Sequence, residues 1–269
     1  MEKIELNQIS LEKLRKISGK KNLESNIYHD GSIAYKIFKN MSKEALDIKE
    51  RKIELLDAGD PLPKTVMPIS KIVSGDLFSG YSLKYIKDTR TLYVLYTKTK
   101  DINLFFQILS IVSETVEKIH QDPRNIIIGD LHLDNILVDN DFNPYFIDID
   151  SCQIDRIPNE TIPSSLGVYR YNRALDWLDA TKSQDRLCLV LCSLGLIFKK
   201  HIDFVSLREY DKKAEEIETL RNMRELVLEI KKSKGIPNMP YIHELIASSD
   251  TVRRPNTRKK IQVNIRKRI

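Results

Sequence analysis

The apolar pattern of the chain changes near Asp88, and this change constrains the fold more than any other feature of the sequence. Before Asp88, short apolar runs bounded by turn residues predict strands within residues 26–39, 66–74 and 78–86. The first of these ranges holds two strands joined by an Asp-Gly turn. A helix is predicted at residues 42–58. The first part of the chain therefore predicts a small antiparallel sheet with one helix packed against it.

Helical patterns dominate the rest of the chain. Apolar residues recur at helical spacing over residues 101–121, and a second apolar run predicts a buried helix at about 185–200. Short apolar runs separated by turn residues lie in residues 125–149. Residues 152–183 have little periodicity and are expected to form a long ordered loop. An α+β fold follows, in which a strand-rich part precedes a larger and mainly helical part.

Three regions are expected from these patterns: an N-terminal lobe at residues 1–88, a C-terminal lobe at 89–251 and a basic tail at 252–269. The tail carries eight of the 44 basic residues and no acidic ones, which leaves 36 basic against 38 acidic residues elsewhere. The excess positive charge is therefore a property of the tail alone. Such a tail is either a solvated chain end or a contact for nucleic acid or an acidic partner.

Composition places the chain among globular proteins of a reducing compartment. Of the 269 residues, 41% are apolar and 30% are charged. The N-terminus has no apolar signal segment, and the longest apolar stretch, at residues 187–198, is too short to span a bilayer. The three cysteines do not suggest a disulfide framework. We expect a cytoplasmic protein without membrane contacts.

The segment at residues 126–154 carries the side chains with the clearest chemistry. Asp130 is followed by Asn135, and Asp148 ends the next apolar run. Phosphoryl transfer needs a carboxylate to orient the attacking hydroxyl, and it needs hard oxygen ligands for magnesium beside the phosphates. Short acidic and amide side chains beside strand ends meet both needs.

This segment resembles the catalytic and metal loops of the protein kinase superfamily. Those loops read His-Arg-Asp-x-x-x-x-Asn and Asp-Phe-Gly, and here they read Ile-Gly-Asp130-x-x-x-x-Asn135 and Asp148-Ile-Asp. The resemblance implies that Asp130 is the catalytic aspartate and that Asn135 and Asp148 bind Mg²⁺. It also places His132 where these enzymes usually have a lysine that contacts the transferred phosphate. The run Ile147-Asp-Ile-Asp-Ser-Cys-Gln-Ile is similar to one found in atypical bacterial serine/threonine kinase-like proteins.

The same resemblance extends upstream to a strand lysine and a helix glutamate. Lys36, in Ala-Tyr-Lys-Ile-Phe, is similar to the kinase lysine that contacts the α- and β-phosphates of ATP. Helix 42–58 resembles the kinase αC helix, so Glu50 is expected to pair with Lys36, with Glu54 as the alternative partner. The apolar face of that helix is predicted to be formed by Ala45, Ile48, Ile53 and Leu56.

Two further segments are expected to contact the nucleotide. Kinases cover the phosphates with a glycine-rich loop, but residues 19–28 contain a single glycine. Ser25 and Asn26 are expected to substitute in part for the missing glycines. The run ending in Lys84-Tyr85-Ile86 resembles the last strand entering the interlobe hinge, so adenine is expected to bind the backbone near these three residues.

Downstream matches complete the resemblance. Asp185 opens the predicted buried helix, as does the kinase aspartate that supports the backbone of the catalytic loop. His120 ends helix 101–121 and is interpreted as structural. The stretch from Asp148 to about residue 184 corresponds to an activation segment and contains Thr161, Ser164 and Ser165.

The leading hypothesis is an ATP- and magnesium-dependent kinase that phosphorylates Ser/Thr of a protein substrate, or of itself, within a bilobal kinase-like fold. A small-molecule phosphotransferase of the aminoglycoside type is an alternative, because Gly129, Asp130 and His132 resemble the His-Gly-Asp loop of that class. A nucleotide-binding pseudokinase that acts as a switch or scaffold is a second alternative, because glycines are scarce in the predicted phosphate loop.

Overall fold

The computed structural model of the 269-residue chain describes residues 1–17, 24–159, 164–173 and 180–246. Its described part has an α+β architecture, as predicted. The basic tail, Thr161 and residues 19–23 of the predicted phosphate loop lie outside the described residues. The side chains of Ser164 and Ser165 lie outside them too.

The described strands of the first part form one six-stranded sheet. They are β1 Glu2–Glu5, β2 Arg15–Lys16, β3 Ser25–His29, β4 Ile33–Phe38, β5 Pro68–Ser74 and β6 Leu77–Lys84. Their order in the sheet is β1-β5-β6-β4-β3-β2. Because β1 pairs with β5 in parallel, the sheet is mixed, and the prediction of a purely antiparallel sheet is wrong at this edge. The short and largely charged sequence of β1 gave no strand signal, but it suits an edge strand.

Helix α1, Lys43–Asp57, packs against this sheet. It begins where predicted, because the Ser42 hydroxyl accepts a hydrogen bond from the Ala45 amide. Its buried residues are Leu46, Lys49, Lys52, Ile53 and Leu56. The predicted apolar face was therefore wrong in part, since Ile48 is exposed and two lysines take buried positions.

A small second sheet holds the segments with the clearest chemistry. It consists of β7 Arg90–Thr91, β8 Ile136–Val138 and β9 Pro144–Phe146, in that order. Two short 3-10 turns flank its strands, Leu133–Asn135 before β8 and Ile149–Ser151 after β9. The sheet thus fixes the ends of two loops that carry acidic and amide side chains.

The remaining described elements are helices. They are α2 Leu92–Thr99, α3 Ile102–His120, α4 Ser164–Arg173, α5 Lys182–Phe198, α6 Leu207–Ala214, α7 Glu218–Asn222 and α8 Arg224–Lys232. The long α3 is confirmed, and α5 begins a few residues earlier than predicted because Thr181 and Gln184 form a capping box. The expected loop at residues 152–183 is wrong where α4 interrupts it.

The buried apolar side chains form one continuous cluster that extends from the six-stranded sheet into the helices. Phe38 and Phe78 belong to its sheet side, and Leu187 and Leu191 of α5 belong to its helical side. Each fully buried leucine stabilises such a core by about 2 kcal/mol. None of the helices in the described part of the chain is both long enough and apolar enough to cross a lipid bilayer.

Candidate functional site

The backbone just before Asp130 is held by Asp185, in the first turn of α5. The amides of Ile128 and Gly129 donate hydrogen bonds of 2.7 Å and 2.9 Å to the two carboxylate oxygens of Asp185. His120 Nε2 lies 3.0 Å from the same carboxylate, and all of these groups are buried. The predicted contact of Asp185 with this loop is confirmed, and His120 belongs to the same buried hydrogen-bonded group.

Gly129 gives the loop a backbone conformation that other residues rarely adopt. Its φ is +74°, in the left-handed region. A Cβ atom built on Gly129 would lie 2.7 Å from Cβ of Asn159. The glycine is therefore required both by conformation and by space.

Asp130 and Asn135 are in direct contact. The Asn135 side-chain nitrogen donates to the Asp130 carboxylate at 3.2 Å and to the Asp130 backbone carbonyl at 3.0 Å. The Asn135 backbone carbonyl accepts a hydrogen bond of 3.0 Å from the amide of Ile147, the residue before Asp148. The two predicted metal ligands are thus linked through one backbone hydrogen bond.

His132 is close to the Asp130 carboxylate. Its Nε2 lies 3.7 Å from Asp130 Oδ2, and its Nδ1 accepts a hydrogen bond from the Asp134 amide at 3.3 Å. Burial disfavours the charged imidazole, but the carboxylates of Asp130, Asp134 and Asp148 outweigh burial and raise the pKa of His132. The imidazole and the Asp130 carboxylate therefore act as one electrostatic unit.

Asp148, in the loop after β9, contacts the six-stranded sheet through Lys36. Its φ of +60° places it in the left-handed region, where a non-glycine residue is held only by its surroundings. Its carboxylate lies 3.1 Å from Lys36 Nζ and remains about one-third exposed, at 32%. The Asp148 carboxylate is therefore paired with Lys36 and still partly accessible to solvent.

Lys36 is almost fully buried, with 5% of its surface exposed. Its ammonium donates hydrogen bonds to Asp150 at 2.7 Å and to Asp148 at 3.1 Å. It also lies 5.6 Å and 5.7 Å from the ring centres of Phe38 and Tyr81. Burial disfavours its charge, but the two carboxylates overcome this effect and hold the pKa of Lys36 well above its ordinary value.

The predicted pairing of Lys36 with Glu50 is wrong. Glu50 accepts a hydrogen bond of 2.7 Å from Lys71 on β5, and the alternative partner, Glu54, accepts one of 2.6 Å from the same ammonium. Helix phase explains the difference, because the buried face of α1 presents Lys49 to the metal loop and turns Glu50 toward β5. Glu50 therefore has no contact with the predicted nucleotide lysine.

Asp150 takes the position that Glu50 was expected to fill, and sequence reasoning missed it. Its carboxylate contacts Lys36, accepts a hydrogen bond of 2.6 Å from the Tyr81 hydroxyl and lies 3.0 Å from Lys49 Nζ. Burial alone would raise the pKa of Asp150, but the two ammonium groups lower it far below its usual range. The sequence signal for Asp150 was the pair Lys49 and Lys52, at positions that α1 buries. A buried ammonium group calls for an acidic partner.

The other residues predicted to contact the nucleotide lie on the two strands beside β4 or directly after them. Ser25 and Asn26 lie on β3, beside β4, and the buried Ser25 hydroxyl has no hydrogen-bond partner among the described residues. Lys84 ends β6, on the other side of β4. The amide of Tyr85 donates a hydrogen bond to the Ser32 carbonyl at 2.8 Å. The backbone carbonyl of Ile86 accepts a hydrogen bond from the Thr89 hydroxyl. Both backbone groups therefore already have hydrogen-bond partners within the protein.

The donor set at Asn135 and Asp148 fits Mg²⁺. Mg²⁺ is commonly held by one or two carboxylates together with substrate phosphates and water. The Asn135 side-chain nitrogen donates to Asp130, so its amide oxygen would be the atom that holds a metal, and Asp148 has a partly exposed carboxylate. Within the described ranges, no group of three or more His, Cys, Asp or Glu side chains is placed to hold a metal ion.

A contact chain runs from the six-stranded sheet to the loop held by α5. Lys36 contacts Asp148, the amide of the preceding Ile147 donates to the Asn135 carbonyl, and Asn135 contacts Asp130. These residues come from distant parts of the sequence. A functional assignment depends on this geometry, because no protein-family model matches the sequence and no curated protein matches it.

Proposed function

We propose that the chain is an ATP- and magnesium-dependent kinase with the two-lobed fold of the protein kinase superfamily, acting on a Ser/Thr hydroxyl of a protein or of itself. The observation that carries the proposal is the contact chain from Lys36 through Asp148 and Asn135 to Asp130. It connects a buried ammonium, two carboxylates and a side-chain amide, and in this proposal Asn135 and Asp148 would supply the oxygen ligands for a hard metal. Phosphoryl transfer requires these groups and depends mainly on their positions.

Each residue has a role in this proposal. Asp130 orients the acceptor hydroxyl and takes its proton as the new O–P bond forms and the bond between the γ-phosphate and ADP breaks. Lys36 binds the α- and β-phosphates. Asn135 and Asp148 would hold Mg²⁺, which neutralises charge on the phosphates when bound. His132, whose pKa is raised, lies beside Asp130 and would donate a charged hydrogen bond to the transferred phosphate.

A small-molecule acceptor is the second candidate. The observation that favours it is the contact between His132 and Asp130 at 3.7 Å, directly after Gly129. These residues resemble the loop of the aminoglycoside phosphotransferases. The basic tail argues against a cationic amino-sugar as acceptor, because like charges repel.

Incubation of the full chain with γ-labelled ATP tests the proposal. With Mg²⁺ we expect label on Ser or Thr of the chain or of an added protein mixture, and we expect none when EDTA removes the metal. ADP release that depends on amino-sugars or simple alcohols would instead favour the small-molecule acceptor. If ATP raised the Tm of the chain but no phosphate was transferred to any acceptor, the result would contradict the proposed kinase activity and favour the pseudokinase.

A further inference from the structure

Asp150 is a buried carboxylate that has no role in the phosphoryl transfer proposed above. Its surface is 0% exposed. One carboxylate oxygen accepts hydrogen bonds from Lys36 at 2.7 Å and from Tyr81 at 2.6 Å, and the other lies 3.0 Å from the Lys49 ammonium. A carboxylate removed from water is tolerated only with charged or hydrogen-bonding partners. Asp150 is therefore fixed from a strand on one side and from helix α1 on the other.

Lys49 attaches helix α1 to the loop that carries Asp148 and Asp150. It is also 0% exposed, and its ammonium lies 3.4 Å from the Ser151 hydroxyl and 3.5 Å from the Asp150 carbonyl. Separating Lys49 from Asp150 would remove one of the two ammonium groups that compensate this buried carboxylate. The helix is thus held to this loop by a cation, where the resemblance predicted an anion.

The acidic residues of α1 are engaged elsewhere. Glu50 and Glu54 share the ammonium of Lys71, at 2.7 Å and 2.6 Å. Lys71 lies on β5 and is itself mostly buried. Glu50 could reach Lys36 only if α1 rotated, and that rotation would break both the Lys71 pairs and the Lys49–Asp150 pair.

We propose that Asp150 is the positioning residue for Lys36, and that Lys49 holds Asp150 in place from helix α1. This inference rests on the proposed kinase function. Lysine is a flexible point charge, so a productive phosphate contact requires a partner that fixes its ammonium. Asp150 is such a partner, and it leaves Asp148 available to the metal. The four charges of Lys36, Lys49, Asp148 and Asp150 also balance, which permits their burial.

A double-mutant cycle on stability tests the pairing without ATP. Lys36→Met, Asp150→Asn and the double variant are unfolded with denaturant, and a second cycle combines Lys36→Met with Glu50→Gln. We expect coupling of at least about fivefold in the unfolding equilibrium constant for the first cycle and additivity for the second. Additivity in the first cycle would overturn the inference. If Asp150→Asn does not fold, the cycle is repeated in Lys49→Met, which removes one buried charge of the opposite sign.

Measurement of phosphate transfer tests whether Asp150 and Lys49 position Lys36 for catalysis. The charge-balanced variant Lys49→Met/Asp150→Asn should stay folded and lose about 10²-fold in kcat, with a smaller change in the KM for ATP, whereas Glu50→Gln should stay within about twofold of the wild type. Asp211→Asn, at a remote surface pair with Arg224, controls for a carboxylate-to-amide change. Loss in Glu50→Gln but not in the double variant would overturn the inference while the kinase function stands. No transfer by the wild type, with the stability coupling intact, would overturn the kinase function and leave Asp150 as a structural counter-ion only.

Discussion

Asp185 Oδ1 accepts a hydrogen bond of 2.9 Å from the backbone amide of Gly129. The other oxygen of the same carboxylate accepts from the Ile128 amide at 2.7 Å. A side chain at the start of α5 therefore determines the path of the backbone immediately before Asp130. The position of the proposed catalytic carboxylate depends on a buried residue that is far from it in sequence.

Replacing Asp185 is expected to loosen this loop. In Asp185→Asn the charge is lost and one amide donor of the loop faces an NH₂ group, while His120 loses its charged partner. Hydrogen bonds to a buried charge contribute about 1.5–3 kcal/mol each, so we expect the free energy of unfolding to fall by about 3 kcal/mol. Denaturant unfolding measures this change. Asp211→Asn is the matched control, and an equal loss of stability in the control would contradict the account.

Gly129→Ala is expected to be strained. The new Cβ would meet Asn159 at 2.7 Å, and the residue would keep a positive φ. Such backbone strain costs about 1–3 kcal/mol, which thermal unfolding would report as a lower Tm. Gly235→Ala is the control, since no atom lies within 4 Å of its added Cβ. A Tm of Gly129→Ala equal to that of this control would show that the loop conformation is not required.

His132 is expected to make stability depend on pH. Its pKa is raised in the folded protein, above about 6.5 in the unfolded chain. The protonated form is therefore favoured by folding, and the contribution is complete below the unfolded pKa and is lost as the pH rises through the folded pKa. The stability difference between wild type and His132→Gln, measured in EDTA, should be larger at about pH 5.5 than at about pH 8.5.

The neighbouring carboxylate provides the control for this pH dependence. Asp130 contributes the largest of the effects that raise the pKa of His132. The pH-dependent difference should therefore shrink when it is measured in an Asp130→Asn background. A difference that is constant over the pH range in the wild-type background, or a pH dependence that is unchanged in the Asp130→Asn background, would contradict the electrostatic coupling of the two residues.

Local patterns predicted most of the fold. The strands β3 to β6, helix α1 and helix α3 have strong periodicity and clear turn or capping residues, and they lie close to the predicted bounds. The parallel pairing of β1 was not predictable, because its four residues carry no alternating pattern and it pairs with a strand far along the chain. Helix α4 was missed because the surrounding residues give no regular apolar spacing.

The sequence identified the individual residues of the candidate site, but it did not identify which residue pairs with Lys36. Asp130, Asn135, Asp148 and Lys36 were identified from their spacing and resemblance. In the structure Lys36 contacts Asp148 and Asn135 contacts Asp130, and a backbone hydrogen bond from Ile147 to Asn135 joins the two pairs. The partner of Lys36 was assigned wrongly, because a helix glutamate was expected and the phase of α1 instead buries Lys49. Which of two adjacent helix residues faces a loop depends on tertiary packing, and sequence alone fixes that poorly.

Label transfer from γ-labelled ATP by the wild type and by Asp130→Ala, at equal concentrations with Mg²⁺, tests the central claim most directly. Asp130 is partly exposed, at 22% of its side chain, so the variant should keep the fold, which near-UV circular dichroism and the Tm would verify. Loss of a positioned general base costs typically about 10²–10⁴-fold in rate, and we predict that labelling falls by at least about 10²-fold. Unchanged labelling by folded Asp130→Ala would contradict the account.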